Sequence, residues 1–183
     1  MRRRSGFLAA VLLATLLASL LPATALAAAD VNLAQGKTYT LTVTAPDPNQ
    51  ANYERSYPDT GGTELTNGVL ASTGNYSDSA YQGWLRQGSR IVVIDMGQTN
   101  LIHSIEMRFL QDTGAGIYLP TSVGFDVSTD NVTWTSAGSV PALTASGKTN
   151  VWYTLSGLKL TGRYVRVTVP VNVWVFTDEV QVW

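Results

Sequence analysis

SIEMRFL, from Ser104 to Leu110, decides how the chain is read: Ile105, Met107 and Phe109 alternate with Ser104, Glu106 and Arg108. A period of two places every second side chain on one face of an extended strand, as a half-buried β-strand requires. The pattern recurs outward from there. VGFDVST sends Val123, Phe125 and Val127 one way, and RYVRVTV sets Val165, Val167 and Val169 against Tyr164, Arg166 and Thr168. The final EVQVW pairs Val180 with Val182. The intervening DTGAG, STDN, TASGKTN and LTGR supply turn chemistry. No sustained helical period follows the N-terminal segment. The fold class predicted is all-β, an antiparallel two-sheet β-sandwich in which each sheet hides the other's apolar face.

Two segments are distinguished. Arg2, Arg3 and Arg4 precede the apolar FLAAVLLATLLASLL and the small-residue ATALAAAD, the signature of a secretory signal peptide over residues 1–29. The apolar stretch is short and ends at Pro22, so a transmembrane anchor is not predicted. The protein is expected to be secreted, with residues 30–183 as one sandwich domain. Of 12 Lys and Arg and 13 Asp and Glu, the leader holds three arginines, which leaves nine against thirteen and a mature net charge of −4. A nucleic-acid partner is not expected, because phosphate binding needs a basic footprint. The chain has no cysteine, so stability must come from sheet packing or a bound ion.

Little here suggests catalysis. His103 is the one histidine and reads as an edge residue, and no nucleophile, zinc or phosphate-loop motif is present. Asp112 and Glu179 are the acid pair to inspect for glycoside hydrolysis, although the spatial separation that such chemistry sets is not readable from sequence. The NYS at Asn75 and NVT at Asn131 match a glycosylation pattern and are read as chance matches. YPDTGGTELTNG, Tyr57 to Gly68, gathers acids, hydroxyls, an amide and three glycines, which suits either a plain turn or an oxygen-rich ion loop.

NLAQGK (Asn32–Lys37), ELTNG (Glu64–Gly68), RIVVIDMGQTNLIHSIEMRF (Arg90–Phe109), SVGFDVSTDNVTWTSAG (Ser122–Gly138), RYVRVTV and the terminal DEVQVW occur in an order that resembles the discoidin, or coagulation factor type C, family. The bacterial form of this galactose-binding-like sandwich is the family 32 carbohydrate-binding module. The resemblance covers nearly all of the mature chain. It implies an eight-stranded jelly-roll-like sandwich, usually working beside or tethered to a secreted hydrolase. It also implies a structural calcium ion between the early loop and the last strand. Asn67 would supply a side-chain oxygen, Glu64 and Val69 carbonyls, Ser72 or its neighbour Thr73 a hydroxyl or carbonyl, Asp178 a carbonyl and Glu179 a carboxylate. Such an all-oxygen set suits calcium, not zinc. Asn67 stands where the family usually has aspartate, which should weaken the ion's hold.

The ligand implied is a polysaccharide or other glycan. Five tryptophans and eight tyrosines offer flat apolar faces for sugar rings. The candidates are Tyr81, Trp84, Gln111, Asp112, Tyr118 and Trp174. Tyr53 and Tyr57 also fall in a loop-like segment, and Trp134 is the weakest platform. For each aromatic, packing in the core is the competing role. Two function classes stay open: a non-catalytic carbohydrate-binding module, and an adhesion domain whose loops contact a protein or lipid head groups. A small glycan-active enzyme is a third.

Overall fold

The computed structural model describes residues 31–48, 56–72 and 74–183; the leader 1–29, Tyr53 and Thr73 lie outside the described residues. The described residues form seven strands: β1 (Tyr39–Val43), β2 (Gln82–Leu85), β3 (Ser89–Gln111), β4 (Ser122–Ser128), β5 (Thr135–Pro141), β6 (Thr149–Pro170) and β7 (Trp174–Val182). All their pairings are antiparallel. Hydrogen bonding runs in the order β2-β7-β3-β6-β4-β5, with β1 on β3.

Two long strands turn this ribbon into a sandwich. The first half of β3 pairs with β1 and with the last residues of β6, which in turn pair with β4. Its second half pairs with β7 and with the first residues of β6. The register slips between Asp95 and Asn100, where Gly97 takes φ 85° and the Asp95 carboxylate accepts the Gly97 N–H at 2.8 Å. At that corner the β3–β6 pair passes from one layer to the other, a local bend that bulges and glycine permit. Where the resemblance implies eight strands, the described residues form seven, of which β3 and β6 each serve both layers.

The alternating residues fill the space between the layers. Ile105, Met107, Phe109, Val123, Phe125, Val127, Val165, Val167, Val169, Val180 and Val182 all belong to one buried cluster, together with Trp84. One stretch departs from strict alternation. Leu110 and Phe176, on the outer face of the second layer, are buried too, because Ala71, Ala80, Tyr81 and Ile117 pack over them as a second core. A strand covered on both faces loses its period-two signature. Both ends of β3 reach the same end of the sandwich, where residues 86–88, 112–121 and 171–173 meet. There the Arg86 N–H bonds the Val173 carbonyl, the Val171 N–H the Gly88 carbonyl and the Tyr118 N–H the Trp174 carbonyl.

Candidate functional site

At this loop end, β7 begins at Trp174 and the segment after β3 folds back onto it. Asp112 and Ile117 pair as an isolated antiparallel bridge closed by the 3-10 turn Thr113–Ala115, with Gly116 left-handed at φ 74°. Ile117 then bridges Trp174 in parallel. The result is a groove of about 360 Å³ lined by Tyr118, Leu119, Pro120, Thr121, Asn172 and Trp174 among others. Its size lies within the range of small-molecule sites, and its composition matches one: apolar walls with a few convergent polar groups. Tyr118 is 46% exposed, and Trp174 is half-buried. Among the described residues, no charged side chain lines the groove.

The other sequence candidates for ligand contact are placed elsewhere. Tyr81 and Trp84 are buried, Trp84 at 2% exposure in the main core, so neither presents a face to a ligand, and that expectation is corrected. Trp84 lies on β2, which pairs with β7 and closes the edge of its layer; the Tyr81 hydroxyl donates to Asn150 at 2.6 Å. Gln111 and Asp112 adjoin the groove in sequence but are engaged in holding a neighbouring loop. The Gln111 amide donates to the carbonyls of Ala145 and Gly147, both at 2.9 Å, and Asp112 pairs with Lys148 at 2.8 Å. These contacts set the groove's flank without lining it. Asp112 and Glu179, the acid pair considered for hydrolysis, are both buried, and neither lines the groove. Trp134 has the Arg166 guanidinium over its ring at 4.4 Å, so that face is taken. Tyr76 is an aromatic that sequence reading passed over. Its position in a polar run, NYSDS, gave no signal, yet it reaches the rings around Tyr57 and Phe176.

The early loop forms a second structured place. Glu64, Leu65 and Thr66 make a buried 3-10 turn under β7. Two hydrogen bonds clasp the loop to that strand: the Gly68 N–H donates to Glu179 at 3.0 Å, and the Ala71 N–H to Asp178 at 2.8 Å. Arg108 donates to Asp178 as well, at 2.9 Å. One oxygen of each of three carboxylates, Glu64 Oε2, Asp178 Oδ1 and Glu179 Oε1, is nevertheless buried without a hydrogen-bond partner. Burial pushes the Glu179 carboxyl up to about 8 and the Asp178 carboxyl up to about 6, the latter held down partly by the Ala71 N–H and Arg108. Buried acid oxygens without donors are costly, and a cation or a proton relieves them.

The donor chemistry here fits a hard, oxygen-seeking cation. Among the described residues no group of three or more His, Cys, Asp or Glu side chains forms a metal site on its own. A cation here therefore requires carbonyl or amide oxygens beside the acids, as calcium accepts. Glu64 offers its buried carboxylate, a donor that the sequence reading, which assigned it a carbonyl, did not foresee. The Asn67 side-chain oxygen accepts the Val69 N–H at 2.7 Å, and Ser72 donates both its N–H and its hydroxyl to Asp78, so these two are already in use locally.

No curated protein matches the chain. Similar solved structures include a fucolectin from striped bass serum (17% identity, TM-score 0.56, covering 82% of this chain and 47% of that one). A Streptococcus pneumoniae fucose binding module is also similar (16%, TM-score 0.53, 84% and 94%), as is chitosan-binding module 1 of a Paenibacillus chitosanase/glucanase (16%, TM-score 0.52, 84% and 99%). At such identities they show a shared fold. No helix among the described residues is long and apolar enough to cross a membrane. Over residues 50–180 the sequence matches the F5/8 type C domain, and with its ordered motifs and its β-sandwich the chain belongs to that family.

Proposed function

We propose that the protein is a secreted, non-catalytic carbohydrate-binding module whose glycan site is the groove between Tyr118 and Trp174. The observation that carries this reading is the convergence of two loops distant in sequence. The Tyr118 N–H bonds the Trp174 carbonyl at 3.0 Å, which fixes two accessible aromatics around an uncharged groove. Ring faces suit the C–H surfaces of a sugar, while Thr121 and Asn172 offer hydrogen bonds to its hydroxyls. The fucolectin, the fucose binding module and the chitosan-binding module that share the fold support the reading. The leader supports export, and the domain would hold a secreted enzyme or a cell on a polysaccharide; a tethered hydrolase belongs to the same proposal.

Calcium, in this reading, is structural. Glu64 and Glu179 would hold it through their carboxylates, with Val69, Asp178 and Ser72 adding carbonyl oxygens. Its charge would satisfy the orphaned oxygens and keep the early loop on β7.

A glycan array with the mature domain, followed by titration of Tyr118→Ala and Trp174→Ala, tests the site. Sugar-specific retention that both substitutions weaken, in proteins that still fold, supports it. Lost stability with unchanged affinity in the folded fraction removes it. The retained polysaccharide should release no sugar; turnover abolished by Asp112→Asn would overturn the non-catalytic reading.

One observation favours the adhesion alternative: Val69 and Leu70 stand adjacent on the early loop at 54% and 48% exposure. Silence across all glycans, combined with retention on lipid vesicles that Leu70→Ser abolishes, would decide for it.

A further inference from the structure

Trp174 borders two concavities. Besides the groove it lines a cup of about 140 Å³ together with Tyr57, Tyr76, Ala115, Ile117 and Phe176. The backbone explains the division. Ile117 bridges Trp174 and Tyr118 bonds its carbonyl, and successive residues of an extended segment point to opposite sides. Ile117 accordingly lines the cup and Tyr118 the groove, with Trp174 common to both.

The rings of the cup hold one another in place. Tyr57 meets Trp174 edge to face at 5.7 Å and 90°, Tyr76 at 6.2 Å and 80°, and Phe176 at 4.7 Å. Tyr57, Tyr76 and Trp174 are only partly buried. Among the described residues, neither concavity has a charged side chain in its lining. The cup alone is smaller than the roughly 300 Å³ at which small-molecule sites begin, whereas the groove is not. It is therefore suited to a piece of a ligand already seated in the groove.

We propose that the glycan site runs across Trp174, with one sugar unit in the groove and an apolar edge or methyl-bearing substituent of the next in the aromatic cup. Its ligand is then a neutral oligosaccharide, not a monosaccharide or an acidic chain. This rests on the carbohydrate reading of the groove.

Calorimetric titration of the mature domain with ladders of one to six units of β-linked glucose, galactose and N-acetylglucosamine tests it, with oligogalacturonate as the acidic comparison. In the ladder that binds, affinity should rise at least tenfold between one unit and three. Tyr76→Ala should remove that gain and leave the one-unit affinity unchanged, while Trp174→Ala weakens both. Ala115→Trp, which fills the cup from an exposed turn, should act as Tyr76→Ala does and covers the case in which the latter fails to fold. Affinity independent of length, or a length gain indifferent to both variants, overturns the inference while leaving the groove reading intact. Preference for oligogalacturonate overturns the neutral ligand. Absence of all binding overturns the underlying reading and this one with it.

Discussion

The loop-end groove and the clasp under β7 both carry polar groups, yet their situations are opposite. In the groove and its cup, the Tyr57, Tyr76 and Trp174 side chains are partly exposed, so water can meet their polar atoms at little cost. In the clasp, oxygens of Glu64, Asp178 and Glu179 are sealed from solvent, where an unpaired carboxylate is expensive. A surface that is satisfied by water can wait for a ligand without loss of stability. Buried acids need a counter-charge or a proton in order to fold well. Stability measurements should therefore respond to the clasp and binding measurements to the groove.

The sharpest test of that division compares two tryptophans. Trp84→Ala removes a buried ring from the main core and should cost about 3–5 kcal/mol, visible as a lowered melting temperature, with glycan affinity of the folded fraction unchanged. Trp174→Ala should show the reverse. If Trp174→Ala destabilises as much as Trp84→Ala, the groove is core rather than site.

Next in size is the ion. Calcium at about 100 times its dissociation constant should add roughly 2.7 kcal/mol, and Glu179→Gln should erase the gain. A melting temperature indifferent to calcium, chelator and this substitution would leave the clasp with protons alone. The same acids give a pH dependence whose sign is fixed. The Glu179 carboxyl titrates near 8 in the folded protein, above its ordinary value of 4.5, so between those values the folded state binds more protons than the unfolded one. With chelator present, stability should be highest near pH 5 and fall as pH rises towards 8; Asp178, raised to about 6, adds in the same direction. Calcium should flatten the curve, because it favours the ionised acids. Stability that rises over this interval in chelator would mean the acids are compensated in some other way.

Smaller effects separate lining from support. Tyr118→Ala should weaken glycan binding by roughly tenfold, about 1.4 kcal/mol, with little change in melting, since nearly half of its side chain is already in water. Lys148→Met breaks a partly exposed ion pair with Asp112 and should cost at most about 1 kcal/mol. Affinity should then change only through loosening of the loop that Gln111 anchors. A loss of binding as large as that of Tyr118→Ala would promote Asp112 from support to direct contact.

What the sequence determined by itself follows from local periodicity. Ile105, Met107 and Phe109, Val123 to Val127, Val165 to Val169 and Val180 with Val182 alternate because each strand has one face on the core, and that pattern establishes a sandwich without any knowledge of pairing. The order of motifs was enough to indicate the family, and the Tyr118 and Asn172–Trp174 segments were legible as aromatic loops with polar neighbours. The tertiary structure alone decided which atoms were left over. Leu110 and Phe176 break the alternation because Ala71, Ala80, Tyr81 and Ile117 cover their outer face. Gln111 and Asp112 look free in sequence, but residues 145–148, more than thirty positions later, take their hydrogen bonds and charge. Trp84 and Trp174 are the same residue type near the ends of two paired strands, Trp84 opposite Val175 and Trp174 opposite Leu85, and burial separates their roles. Tyr76 joins the cup only because Phe176 and Tyr57 come to it from elsewhere in the chain. Periodicity reports how a strand faces its own core, whereas accessibility depends on which distant segment folds over it, and only the assembled sheet order supplies that.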